Sequence, residues 1–177
     1  ARQVVADLQA HSFPPDLDVG VAAPYDLRDH QKSAVAFALL TPKCLILDEM
    51  GLGKTNSGAG LISYLHARGE VGPYPKARAI VITTAPNVVP SWKMGGFDKF
   101  FPHLKVGVCR GTKKQRFAVL DSPDWDVLLV GYETLRNDVE WISQLSFNVA
   151  ILDEVDVLGN PNSLVTQAVR RVVKDCE

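Results

Sequence analysis

The run Asp48-Glu49-Met50-Gly51-Leu52-Gly53-Lys54-Thr55 combines residue types suited to holding a polyanion. Glycines let successive backbone N–H groups turn inward onto phosphate oxygens, and a helix opening just after them adds partial positive charge. In such a cradle Lys54 reaches the terminal phosphates and the Thr55 hydroxyl ligates magnesium. The strict pattern has glycine where Asp48 stands. A glycine-rich turn before an ordinary helix is the alternative; Gly-Lys-Thr directly after an apolar run favours the cradle. Far downstream the apolar run 149–152 ends in Asp153-Glu154. Phosphoryl transfer needs one carboxylate for the metal and a second group to position the attacking water. Asp153 suits the first role and Glu154, as general base, the second. Alone, the pair also fits a solvated acidic turn.

Both candidate sites need strands that end together. Short apolar runs at 44–47, 79–83, 106–108, 126–130 and 149–152 read as strands, and their β-branched, non-alternating character predicts burial on both faces. Helical patterns occupy about 27–40, 54–67, 87–100 and 163–174. Strand–helix alternation predicts a parallel sheet, hence an α/β domain of three layers with helices on both faces. Ligands of such sheets bind beyond the carboxyl ends of the strands. Residues 1–26, broken by Pro14, Pro15, Gly20 and Pro24, read as an irregular N-terminal extension.

The 177-residue length suits one buried domain, here 27–177. A net charge of -1 gives no global attraction to nucleic acid, which leaves that task to a local patch. Cys44, Cys109 and Cys176 are far apart and odd in number, and no His/Cys cluster accompanies them, so they suggest neither a disulfide framework nor a zinc site. No run is long enough to span a membrane and no leader opens the chain. A soluble, intracellular protein is expected, in the cytoplasm rather than the nucleus.

Taken together, the motifs resemble the Swi/Snf branch of the superfamily-two helicases. That branch carries Asp at the first position of its phosphate loop, as Asp48 does here. Leu27-Arg28-Asp29-His30-Gln31 is similar to the family's adenine-recognition segment, where an amide such as Gln31 bonds an adenine edge in two places. Ala85-Pro86-Asn87-Val88-Val89-Pro90-Ser91-Trp92 resembles the segment that touches one DNA strand, and Gly131-Tyr132-Glu133-Thr134-Leu135 the next DNA-side motif. Asp153-Glu154-Val155-Asp156 stands where the family has Asp-Glu-Ala-His, with Asn160 and Ser163 continuing the match.

The resemblance implies a RecA-like first motor lobe that binds ATP and Mg2+. Arg28, Gln31, Met50, Gly51, Leu52, Gly53, Lys54 and Thr55 would serve the nucleotide, Thr55 and Asp153 the metal, and Lys54 and Glu154 catalysis. Pro86, Asn87, Trp92 and Tyr132 would face double-stranded DNA, read without sequence preference. It also implies a second RecA-like lobe carrying arginine fingers. Two alternatives stand beside this reading: a DEAD-box-like RNA helicase lobe, disfavoured by the segment 85–92, and a nucleotide-binding module without hydrolysis.

Gly131 and Gly159 replace family residues with longer side chains, and Asp156 replaces a hydrogen-bond-donating histidine with an acceptor. An Arg or Lys from the second lobe or the following motif is the expected partner of Asp156. The basic run Lys105, Arg110, Lys113, Lys114 and Arg116 reads as a solvated helix face, with a phosphate-binding patch as the alternative. Trp92 fits packing on the sheet as well as stacking on a base, while Trp125 and Trp141 suggest core packing.

Overall fold

The structure, a computed structural model, describes residues 25–41, 43–49, 51–84 and 88–176. Met50, Pro86 and Asn87, and all but the end of the extension expected at 1–26, lie outside them.

Four parallel strands form one sheet in the order β2-β3-β1-β4: β1 Arg78–Thr83, β2 Val106–Cys109, β3 Val127–Gly131 and β4 Phe147–Leu152. The sheet is wholly parallel, and the three-layer α/β expectation holds. Central β1 pairs on both sides, Ile82 opposite Val130 and Leu152, so the carboxyl ends of β1, β3 and β4 come together. Every residue of β1 is buried, the property that its unbroken apolar run implies.

Alternate side chains feed two cores. On one face Ala79, Val81, Val127 and Leu129 pack with Val35 of α1 (Asp29–Leu40), Ala59 and Ile62 of α2 (Lys54–Ala67), and Trp92, Phe97 and Phe101. On the other, Ile80, Ile82, Leu128 and Val130 pack with Leu120, at the end of α5 (Lys113–Leu120), and Leu135 of α6 (Tyr132–Asn137). They also meet Ile142 of α7 (Val139–Ile142) and Val165, Val169 and Val172 of α8 (Leu164–Val173). Ser163 caps α8, its hydroxyl accepting from the Thr166 N–H at 3.1 Å.

The helix expected over 87–100 has three parts: α3 (Val88–Pro90), a π-helical turn (Ser91–Phe97) and α4 (Asp98–Phe100). Asp98 N–H reaches the Lys93 carbonyl five residues back, the widened bonding that defines such a turn.

The strand expected at 44–47 is not in the sheet. Residues 44–49 have no regular structure, and Leu45 and Leu47 are 58% and 83% exposed. An apolar run favours burial, but a strand also requires a neighbouring edge to complete its ladder. Trp125 is buried and donates to the Val119 carbonyl at 2.8 Å, whereas Trp141 is half exposed, edge-on to Phe117 at 4.8 Å between centroids. Trp141 therefore covers a surface helix and is not a core residue as expected.

Buried Cys109 has its thiol pushed up to about 12 by loss of solvation, and Cys176 to about 11 for the same reason. Both remain protonated and unreactive at neutral pH.

Candidate functional site

The loop before α2 turns on two left-handed glycines, Gly51 at φ 85° and Gly53 at φ 82°. Gly53 is the residue that opens α2; its φ strains any other residue, and a Cβ there would lie 2.4 Å from Gln31 Nε2 and displace that amide. The Asn56 and Ser57 N–H groups close on the Gly53 carbonyl at 2.9 and 3.3 Å, which leaves those of Lys54 and Thr55 without an intrahelical acceptor. Lys54 folds over it, donating to the carbonyls of Asp48 at 2.7 Å and Glu49 at 3.0 Å. Among the described residues Lys54 has no carboxylate partner, so its positive charge is uncompensated. That is the electrostatic condition an anion site needs.

The start of α1 braces this loop. Gln31 is buried, and its amide nitrogen donates to the carbonyls of Leu52 at 3.0 Å and Gly53 at 3.3 Å. Its amide oxygen accepts from the Arg28 N–H at 3.0 Å, and a ring nitrogen of His30 also meets Leu52 O, at 2.9 Å. Both N–H groups of the Gln31 amide are thus engaged by the loop, and two-point contact with an adenine edge would require their release. His30 is thus a second brace of the loop. Arg28 is exposed beside it.

Asp153 follows β4 and continues its ladder, its N–H donating to Ile82 O at 2.8 Å. Two donors meet one carboxylate oxygen, Oδ2: the Trp92 indole N–H at 2.8 Å and the Thr83 hydroxyl at 3.3 Å. The Tyr132 hydroxyl donates to the Asp153 carbonyl at 3.0 Å. Burial, followed by the negative charges of Asp153 and Glu154, pushes the Tyr132 phenol upward, which keeps it a donor. Glu154 sits at φ 53° and ψ 63°, left-handed without being glycine. Such backbones cost about 1–3 kcal/mol and persist where the surroundings enforce them. Its carboxylate is exposed and accepts from the Thr84 hydroxyl at 2.7 Å.

The structure therefore brings Asp153, Glu154, Trp92 and Tyr132 to one sheet edge, with Thr83 and Thr84 supplying hydroxyls that motif reading missed. The missed signal was position: two threonines directly at the carboxyl end of a buried strand. Trp92 and Tyr132 are 2% and 1% exposed. Neither ring offers a free face for a base, so their expected role toward DNA is replaced by direct support of Asp153. Asp156 is exposed on a 3-10 turn, Val155–Leu158, with no ion-pair partner among the described residues. Of the basic run, Arg116 is bound to Asp138 and to the Gly111 carbonyl, while Lys105, Arg110, Lys113 and Lys114 are exposed.

A parallel sheet with a left-handed glycine turn opening a helix, and an acidic pair at an adjoining strand end, defines the chain as a RecA-like domain of the phosphate-loop type. The comparisons narrow the class. The model of the SNF2-related domain matches residues 30–175, and the chain belongs to that family. The "Uncharacterized ATP-dependent helicase MG018" of Mycoplasma genitalium is 35% identical over 130 residues, covering 72% of this chain and 12% of that protein. The DNA repair and recombination protein RAD54B of Gallus gallus is 29% identical over 181 residues, covering 92% and 19%. The Sulfolobus solfataricus SWI2/SNF2 ATPase core, solved in complex with double-stranded DNA, matches with a TM-score of 0.72 at 24% identity, covering 84% of this chain and 30% of that one. The chain thus spans no more than about a fifth of these curated relatives.

Proposed function

We propose that this chain is the ATP-binding motor lobe of an ATP-dependent translocase on double-stranded DNA. The observation that carries the reading is Lys54, uncompensated in charge, in a left-handed glycine loop that opens α2. The relatives named as ATP-dependent helicase and as DNA repair protein support the same reading.

On this reading the loop N–H groups and Lys54 hold the β- and γ-phosphates of ATP. The oxygen donors Thr55 and Asp153 fit magnesium, a hard cation that takes few protein ligands alongside phosphate oxygens. When bound there, magnesium neutralises charge on the β- and γ-oxygens. Glu154 accepts the proton of the water that attacks the γ-phosphorus, and ADP is the leaving group. Arg28, exposed beside the loop, flanks the base, while Gln31 holds the loop in place.

Isothermal titration of the chain against Lys54→Ala tests the assignment. Removing one charge-assisted donor, worth about 1.5–3 kcal/mol, should weaken magnesium-ATP binding about 10- to 100-fold. Equal affinities would sink it.

Binding to DNA is expected to be weak and indifferent to sequence, since contacts through the segment holding Pro86 and Asn87 would reach the backbone. The logarithm of affinity should fall by about 0.9 per phosphate contacted for each tenfold rise in salt. Fluorescence titration of two unrelated duplexes at two salt concentrations measures both properties. Strong discrimination between the duplexes would contradict the translocase reading.

A further inference from the structure

The π-helical turn Ser91–Phe97 touches both residues assigned above to magnesium. Trp92 donates its indole N–H to Asp153 Oδ2 at 2.8 Å, from a ring only 2% exposed. The same ring is wedged between α2 and β4: a Cβ at Gly58 would lie 2.9 Å from Trp92 Cη2 and 3.1 Å from Ile151 Cδ1. One wide turn later, Gly96 packs against the phosphate-loop helix, where a Cβ would come within 2.8 Å of Thr55 Cγ2. Glycine at 58 and at 96 is what allows these approaches.

With Trp92 and the Thr83 hydroxyl both on Oδ2, the Asp153 carboxylate is fixed in rotation and its other oxygen, Oδ1, has no hydrogen-bond partner among the described residues. Contact of the Thr55 methyl with Gly96 restricts the rotation that aims the Thr55 hydroxyl. Outer-shell donors of this kind orient ligating carboxylates, and π-turns recur where a helix must present side chains at a functional site.

We propose that Trp92 is a positioning residue for the magnesium site, and that the Ser91–Phe97 turn sets the geometry of Asp153 and Thr55 together. The proposal rests on the nucleotide-binding reading given above.

The test is the magnesium dependence of nucleotide binding to the 177-residue chain, read with a fluorescent ATP analogue and compared with binding in EDTA. Trp92→Phe keeps an aromatic ring and removes the donor. It is expected to raise the magnesium concentration for half-maximal enhancement about 10- to 100-fold, the range for loss of an outer-shell partner. Affinity in EDTA should stay unchanged, which a merely structural role would not predict. Thr83→Val, which removes the other donor to the same oxygen, should shift the magnesium requirement in the same direction and decides the matter if Trp92→Phe does not fold. An unmoved magnesium requirement, or an equal loss of binding in EDTA, overturns the proposal. If instead wild-type chain and Lys54→Ala bind the analogue alike, the nucleotide-binding reading itself has failed.

Discussion

Glu154→Gln, placed in a longer chain that carries a second lobe, should bind ATP with near-normal affinity and turn it over about 10²–10⁴-fold more slowly. That interval is what a positioned general base contributes. The substitution preserves shape, and its amide oxygen still accepts the Thr84 hydroxyl bond now made to Glu154 at 2.7 Å. What it loses is the ability to take a proton from the attacking water. The left-handed backbone at Glu154 strengthens the expectation, since strain of about 1–3 kcal/mol is retained where it aims a functional group. Nucleotide retention on a filter, run beside single-turnover phosphate release, separates binding from chemistry. Near-normal release by Glu154→Gln would mean that another residue positions the water.

The second large effect concerns the second lobe that the proposed function requires. The 177-residue chain alone should hydrolyse ATP about 10³–10⁵-fold more slowly than the same lobe joined to its partner lobe, with DNA present in both cases. A single arginine reaching the transferring phosphoryl group has that worth. Five of the eight arginines among the described residues are committed elsewhere. Arg68, Arg116, Arg136 and Arg171 are ion-paired with Glu70, Asp138, Glu133 and Glu140, and Arg78 is buried with its guanidinium 4.0 Å from the centre of the Trp125 ring. Steady-state phosphate release by the chain, before and after a separately expressed second lobe is added, measures the difference. Robust DNA-stimulated turnover by the chain alone would overturn the expectation.

The sequence by itself determined the parallel α/β architecture and the strand end at which Asp153 and Glu154 lie. Unbroken apolar runs such as 79–83 demand burial on both faces, and in a parallel sheet the residues that follow such runs share an edge. The place of Asp153-Glu154 after β4 was legible for that reason, and that of Lys54 and Thr55 at the start of α2 from the glycines before them. Backbone conformation was legible too at Gly51 and Gly53, where glycine tolerates a positive φ. Tertiary structure alone decided who pairs with whom. An apolar pattern is the same for a strand that finds a sheet edge and for one that does not, and 44–47 lies outside the described ladder. Only packing turned Gln31 onto the phosphate loop, because the donors of a side-chain amide serve whichever carbonyl lies nearest. Only packing buried Trp92 and Tyr132 against Asp153: they lie 61 and 21 residues from it in the chain, and no local pattern encodes a hydrogen bond across such separations.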